Sequence, residues 1–548
     1  MGVSVFATLI AAVFSAGGHL SPVAAATPGN VVNTGYASYR GNQTYPNMVA
    51  YRGIPYAEPP VGNGRFRTPA PLNTTRVAAA PNGEVVDATE YPDFCIQGTT
   101  MMGDAGGAGS EDCLKVNIYA PYGASNTSQL PVLVYFHGGA YVFGNPAAFP
   151  FDDWVHQVPD VVIASVYYRL DSFGFLGHPD FADATVGDNN AGFLDQVESL
   201  RWINKYISAF GGDPTKVTIN GQSAGGSSVE LHLVANEGQD LFRSGIAQSV
   251  ARAPVPPSAV QVDLFDFYST QAGCGTGSVT EQMACLRNAS VSALARAQDA
   301  CTYNFTGPWN RFMPVIDGKV ITDYPTRSIL EGNFKNVPII VGHTSNESLS
   351  FGATNITAAL KSFFPSLTET DLTEFLAEYP ASEFSSTDEQ VRTATGEATV
   401  RCPRSYMGGT FSTVTNAWVY RYNQRNPTQG TDPSIVEHAA ENWMMFQGTN
   451  TGINGTYTLT PQTPVEKAFV SELFAYWLSF VRDGDPNTYK LSQSPEWPKY
   501  TLDARNRMVL QQDPNNTTTN SGSHVELEPE GDTERCDFVA SKEDGLQA

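Results

Sequence analysis

The sequence predicts an α/β protein, a large and mostly parallel central sheet flanked by helices. Near-continuous apolar runs at residues 131–136, 161–166 and 337–342 have the pattern of parallel strands buried on both faces. A helical pattern over 190–210 lies between the second run and a β-prone stretch at 216–220. Such alternation of strands and helices wraps into one layered unit. The stretch at 216–220 then passes through Gly221-Gln222-Ser223-Ala224-Gly225 into a helical pattern over 224–235, a strand–turn–helix joint.

Length and composition bound the function. The chain has 548 residues, enough for a large buried core. A net charge of −23 leaves no basic patch to neutralise phosphates, which argues against a nucleic-acid partner. Charged residues are sparse at 16%, and 49 Gly and 36 Pro fit a loop-rich globular protein better than a coiled coil. Neither H-E-x-x-H nor G-x-x-x-x-G-K-[S/T] occurs, so metalloprotease and nucleotide-binding readings lack their motifs.

Taken in chain order, the apolar run 3–16 followed by Ala24, Ala25 and Ala26 reads as a secretory signal peptide over 1–26. Residues 27–548 read as a single domain, since no linker splits them. No later run reaches transmembrane length, so no stable membrane anchor is expected. Short strand-like runs fill the chain up to about residue 120. The helix at 190–210 carries Phe193, Leu194, Val197, Leu200, Trp202, Ile203 and Ile207 as its apolar residues, and Phe210-Gly211-Gly212-Asp213-Pro214 stops it. Residues 417–422 read as a further strand. The stretches 255–335 and 353–400 are rich in helices and loops and read as excursions that roof a site. Seven cysteines fit an oxidising compartment with three disulfides and one thiol. Spacing leaves the connectivity open, although Cys95 with Cys113 and Cys274 with Cys285 would each close a short loop. Sequons at Asn42, Asn73, Asn126, Asn288, Asn304, Asn355 and Asn454 favour a secreted glycoprotein.

A serine in a small-residue turn acts as a nucleophile only with a base, a group that orients the base, and donors for the oxyanion. Four histidines follow Ser223. His232 falls in the same helix, directed away from the turn, and His524 sits in a polar, solvated tail. His343 and His438 both follow predicted strands, which leaves two candidate bases. The candidate oxyanion loop is Phe136-His137-Gly138-Gly139-Ala140-Tyr141, at the end of an apolar strand. Its small residues let backbone N–H groups turn into a pocket, joined there by the N–H of Ala224.

Four extended motifs then stand in one order: Gly53-Ile54-Pro55-Tyr56-Ala57-Glu58-Pro59-Pro60-Val61-Gly62 with Arg65-Phe66, Ser110-Glu111-Asp112-Cys113-Leu114-Lys115-Val116-Asn117, Phe210-Gly211-Gly212-Asp213-Pro214, and Gly221-Gln222-Ser223-Ala224-Gly225-Gly226. Through them the chain resembles the type-B carboxylesterases, the family of cholinesterases, carboxylesterases and fungal lipases, over nearly the whole mature length. The resemblance implies the α/β-hydrolase fold and assigns roles. Ser223 would be the nucleophile. Glu347, in Gly342-His343-Thr344-Ser345-Asn346-Glu347-Ser348, would be the acid. His438, in His438-Ala439-Ala440-Glu441, would be the base, with His343 a bystander. The N–H groups of Gly139, Ala140 and Ala224 would bind the oxyanion. Also implied are disulfides pairing Cys95 with Cys113, Cys274 with Cys285 and Cys402 with Cys536, with Cys301 left free. Arg65 with Glu111 and Arg169 with Asp195 resemble structural ion pairs. The implied reaction is hydrolysis of a small-molecule carboxylic ester through an acyl-enzyme, with no metal and no organic cofactor; the oligomeric state is left open.

Three departures from the family pattern bear on function. Ala140 stands where a third glycine is common, which keeps the N–H but adds a methyl. Gln222 stands where many relatives place Glu beside the serine, which weakens any preference for cationic substrates. Asn346-Glu347-Ser348 is formally a sequon, and a glycan there would obstruct the acid, so it is expected to be unoccupied. The Cys95-to-Cys113 loop is short beside the flap of fungal lipases and holds no Trp for stacking on a cation, while Met101 and Met102 offer an adaptable apolar lip. These features favour a general carboxylesterase for small or medium esters. The alternatives are a lipase or sterol esterase on long-chain esters, or an esterase of secondary metabolism. A more remote one is an adhesion relative without catalysis, against which all three triad residues stand.

Overall fold

The computed structural model describes residues 29–548 apart from 80–82, 100–105, 351–352, 431, 433 and 452–456. The signal peptide, the Met101 and Met102 lip and the sequon at Asn454 lie outside the described residues.

One sheet of 13 strands runs through the molecule. Its first edge is antiparallel through β1 (Val31–Asn33), β2 (Ser38–Tyr45), β3 (Met48–Pro55) and β5 (Lys115–Pro121), while β4 (Val86–Ala88) pairs parallel with β2. The centre is parallel: β6 (Leu130–Phe136), β7 (Val162–Val166), β8 (Gly212–Gln222), β9 (Ser244–Gln248), β10 (Ile339–Thr344) and β11 (Ala417–Tyr422). A separate ribbon pairs β12 (Thr449–Thr451) with β13 (Tyr457–Leu459). β14 (Asn506–Leu510) joins β11 in parallel, and β15 (His524–Leu527) closes that edge antiparallel. The order is β1-β2-β3-β5-β7-β6-β8-β9-β10-β11-β14-β15.

Both faces of the central strands are covered, as their unbroken apolar runs require. Along β6, Val132, Val134 and Phe136 pack into one core with Leu200 and Ile203 of helix Ala191–Tyr206. Leu133 and Tyr135 face the other way, against Phe474 and Trp477 of helix Pro464–Asp483. Each such side chain removed from water contributes about 1.5–3 kcal/mol, which fixes the register of the strand.

Helices Val262–Gln271, Val279–Asn288 and Val291–Asn304 fill the first predicted excursion, and Ile356–Phe363, Glu369–Glu378 and Thr387–Gly396 fill the second. Boundaries differ in three places. The helix read over 190–210 is α-helical only to Tyr206 and tightens into a 3-10 turn over Ile207–Phe210. The strand before Ser223 begins at Gly212, because Gly211 with φ of 92° turns the chain straight into it. His343 lies inside β10 instead of after it, and exposed His524 opens β15, since β14 offers an edge that even a polar tail can pair with.

The structure joins Cys95 to Cys113, Cys274 to Cys285 and Cys402 to Cys536, and Cys301 is a buried free thiol. Arg169 grips Asp195 through Nε at 2.7 Å and Nη2 at 2.6 Å, both side chains buried. Arg65 does the same to Glu111 at 2.5 and 2.7 Å.

Candidate active site

Ser223 sits where β8 ends and helix Ala224–Val234 begins, with φ 59° and ψ −125°. A side chain other than glycine is strained in that backbone, and the neighbouring packing enforces it. A Cβ on Gly221 would strike the backbone of Gly225, and a Cβ on Gly225 would strike the carbonyl of Phe136. Both glycines are therefore required for strand and helix to meet so closely. The Ser223 N–H donates to Gln248 O of β9 at 2.9 Å, which locks the turn.

His438 comes from the loop that precedes helix Ala440–Met445, and its Nε2 lies 2.7 Å from Ser223 Oγ. Its Nδ1 lies 3.0 Å from Glu347 Oε2. Glu347 occupies the turn that follows β10, and its side chain is 0% exposed. Two links hold the acid turn to the histidine loop: Asn346 N–H donates to Val436 O at 3.1 Å, and Val436 N–H donates to Asn346 Oδ1 at 3.1 Å. In this arrangement Nδ1–H donates to the carboxylate, so Nε2 is free to accept the serine proton. Of the sequence's two candidate bases, the structure brings His438 to Ser223. His343 is buried beside Thr344, with its Nδ1 2.7 Å from Thr344 O. His232 is stacked near Phe193 and Phe136 and contacts Gln196.

The loop after β6 packs onto the elbow. A Cβ on Gly138 would lie 2.6 Å from Gln222 O and 3.0 Å from Ser223 Cβ. Gly139, Ala140 and Tyr141 have φ of 111°, 56° and 62°, a left-handed run that turns successive N–H groups to one side. Among the described residues none accepts a hydrogen bond from the N–H of Gly139 or Ala140. The N–H of Ala224, in the first turn of its helix, has no intrahelical acceptor either. These three groups are the donors available to a developing oxyanion.

The electrostatics around His438 raise its affinity for a proton. Burial alone pulls His438 down, but the hydrogen bond and charge of Glu347, aided by the charge of Glu441, hold it above its ordinary 6.5. Burial, then the charge of Glu347, pushes Glu441 up to about 7. Burial lowers His137 to about 4 and His232 to about 3, so both are neutral at physiological pH.

Sequence reasoning passed over three neighbours of these residues. Thr344 Oγ1 lies 3.1 Å from Glu347 Oε2, Ser249 Oγ lies 3.5 Å from Glu441 Oε1, and Asn442 Nδ2 donates to Gln222 Oε1 at 3.0 Å. Spacing could have signalled two of them, Thr344 three residues before Glu347 and Asn442 four after His438; Ser249 had no signal in the sequence.

Comparison with known proteins identifies the family. The carboxylesterase family profile matches residues 28–538. Lipase 5 of Diutina rugosa is 34% identical over 373 residues, 61% of this chain and 66% of that protein. The acetylcholinesterase of Bungarus fasciatus is 30% identical over 505 residues, 83% of this chain and 78% of its own. A carboxylic ester hydrolase of Bombus ignitus is 37% identical over 311 residues, 56% of this chain and 53% of its own. The chain thus spans just under two thirds of the lipase and about half of the Bombus protein. The crystal structure of Aspergillus niger EstA superposes with a TM-score of 0.81 at 28% identity, over 94% of this chain and 99% of that one. With this fold, this sheet order and a family match across almost its whole described length, the chain belongs to the carboxylesterase family.

Proposed function

We propose that the protein is a serine esterase that hydrolyses small to medium carboxylic esters through an acyl-enzyme. The observation that carries this reading is the hydrogen-bonded row of Ser223, His438 and Glu347, at 2.7 and 3.0 Å, beside the N–H groups of Gly139 and Ala140, which have no acceptor among the described residues. Ser223 Oγ attacks the ester carbonyl while His438 Nε2 takes its proton. Glu347 orients the imidazole and stabilises its charged form. The N–H groups of Gly139, Ala140 and Ala224 stabilise the tetrahedral oxyanion. His438 returns the proton to the departing alcohol, and water then repeats the attack on the acyl-serine.

The described part of the Cys95-to-Cys113 loop favours this substrate range over a lipase. Buried Gln97 donates through Nε2 to Cys95 O at 2.8 Å and Gly144 O at 3.1 Å, and accepts from Gly144 N–H at 2.6 Å. Gln298 Nε2 donates to Gln97 O at 2.9 Å, and Gly106 N–H meets the Asp299 carboxylate. The described ends of the loop, 95–99 and 106–113, are thus bolted to the segment that follows the oxyanion loop and to helix Val291–Asn304, unlike the ends of a hinged flap. Ser223 is only 9% exposed, which also suits a modest substrate.

The three disulfides and the leader at 1–26 support a secreted domain over 27–548. Hydrolysis of p-nitrophenyl esters from acetate to palmitate, with Ser223→Ala alongside, tests the reading. Activity that peaks on short chains and disappears in the variant is the expected result. A long-chain optimum that rises above the micellar limit would make it a lipase, and activity untouched by Ser223→Ala would overturn the mechanism.

A further inference from the structure

The acid of the row is held from behind by a segment that the catalytic reading does not use. Helix Thr387–Gly396 runs into a π-helical turn, Glu397–Arg401, and resumes as helix Pro403–Ser412. The wider turn has a cause in the sequence. Pro403 has no N–H to give to the carbonyl four residues back, so Thr399 O loses its helical donor. That carbonyl instead accepts from Arg252 N–H at 2.7 Å, just beyond β9, while Cys402 N–H reaches back five residues to Glu397 O at 3.3 Å. Single π turns within helices are frequent at functional sites.

The helix end that runs into this turn touches the Glu347 loop at two points. A Cβ on Gly396 would strike the Glu347 carbonyl oxygen, so the helix backbone lies directly against the acid's own backbone. Thr395 Oγ1 lies 2.8 Å from Ser348 Oγ, and because Thr395 donates to Val391 O at 2.6 Å, it accepts the Ser348 proton. Behind the turn, buried Glu397 accepts from Tyr379 OH at 2.8 Å and from Arg535 Nε and Nη2 at 2.8 and 3.0 Å, and the bridge from Cys402 to Cys536 binds the same C-terminal helix.

We propose that Thr395 and Gly396 are positioning residues that set where Glu347 meets His438, with the π turn as their rigid mount. The inference rests on Glu347 being the acid of the triad. Displacing a positioned group by about 1 Å costs about 10²-fold in rate. Because Glu347 holds His438 up, loosening the contact also lowers the value at which His438 titrates.

The test uses the full-length enzyme with p-nitrophenyl butyrate, reading kcat, KM, thermal midpoint and the pH profile of kcat/KM. Gly396→Ala is expected to lose about 10²-fold in kcat, with KM nearly unchanged and the acid limb moved to lower pH. Thr395→Val should change the same readouts in the same direction by a smaller factor, and Thr395→Ser should restore them. A folded Thr395→Val with unchanged kcat and acid limb overturns the proposal, whatever becomes of Gly396→Ala. So does a loss in Thr395→Val that Thr395→Ser fails to recover. Glu347→Gln is the control. If it leaves kcat and acid limb intact, the triad reading itself fails; if it alone removes activity, only the positioning role fails.

Discussion

Thr344 Oγ1 lies 3.1 Å from Glu347 Oε2 and also 3.1 Å from Val436 O, so one hydroxyl proton is shared between the acid and the backbone that leads to His438. The oxygen that faces the imidazole therefore has a second partner, while Glu347 Oε1 has none among the described residues. A hydrogen bond to a charged group contributes about 1.5–3 kcal/mol, and a shared proton falls at the lower end. Thr344→Val, which keeps the shape, should therefore cost about tenfold in kcat with KM little changed. Steady-state kinetics on the folded variant decide it, and an unchanged kcat would leave Thr344 a structural residue.

The pH dependence follows from two coupled groups. His438 must be neutral to accept a proton, and its neighbours hold it above 6.5. The acid limb of kcat/KM should therefore have its midpoint above 6.5, with activity rising as pH rises. Glu441 ionises at about 7, and its charge helps hold His438 up. Glu441→Gln removes that charge, so the limb should move to lower pH. Stability gives an independent check. The folded value of Glu441 lies above its unfolded value of about 4.3. Its contribution to stability is therefore complete below that unfolded value and is lost as pH rises through about 7. The Gln variant should gain more in melting temperature over wild type at about pH 8 than at about pH 5. A limb displaced upward, or a larger gain in acid, would refute the account.

The centre of this fold was legible because its signals are local. The run at 131–136 and the Gly221–Gly225 pentapeptide each lie within a few residues, and the strand and elbow they predict are present. The glycine-rich loop after β6 was legible for the same reason, since its small residues sit at the end of an apolar strand. What could not be read depends on distant partners. Asp213, Pro214 and Thr215 give β8 a polar beginning, an irregular stretch held between the pairing of Gly212 with Leu130 and of Val217 with Val132 on β6. His524 and Glu526 form β15 because β14 presents an edge. Between His343 and His438 the residues alone could not choose; family resemblance did, and the reason is burial of His343 within β10. The π turn was invisible because Pro403 only frees a carbonyl, and the Arg252 N–H that takes it comes from another strand's end.

Strain at Ser223, the proposed nucleophile, gives a prediction with opposite signs for activity and stability. Ser223 holds φ of 59° and ψ of −125°, a region that costs a residue with a Cβ about 1–3 kcal/mol. Glycine would relieve it, less about 0.4–1 kcal/mol for the greater freedom of the unfolded chain. Ser223→Ala keeps the strain. Both variants should be inactive, yet Ser223→Gly should melt above Ser223→Ala in scans at one heating rate. If the glycine variant melts lower, the turn is not a reservoir of strain.

The sequon at Asn346 closes the set, because here the site itself argues against modification. Asn346 Oδ1 accepts from Val436 N–H, and its backbone N–H donates to Val436 O, so side chain and backbone both clasp the segment that carries His438. The clasp fixes the Asn346 side chain against the histidine loop, so a glycan on Nδ2 would be held next to Glu347, whose side chain is fully buried. Asn126, Asn304 and Asn355, by contrast, are exposed. Peptide mass spectrometry of the protein secreted from a eukaryotic host should find glycan on one or more of these three and none on Asn346. Active enzyme carrying glycan at Asn346 would show that a glycan held by this clasp does not obstruct the site, and would overturn the steric argument against modification.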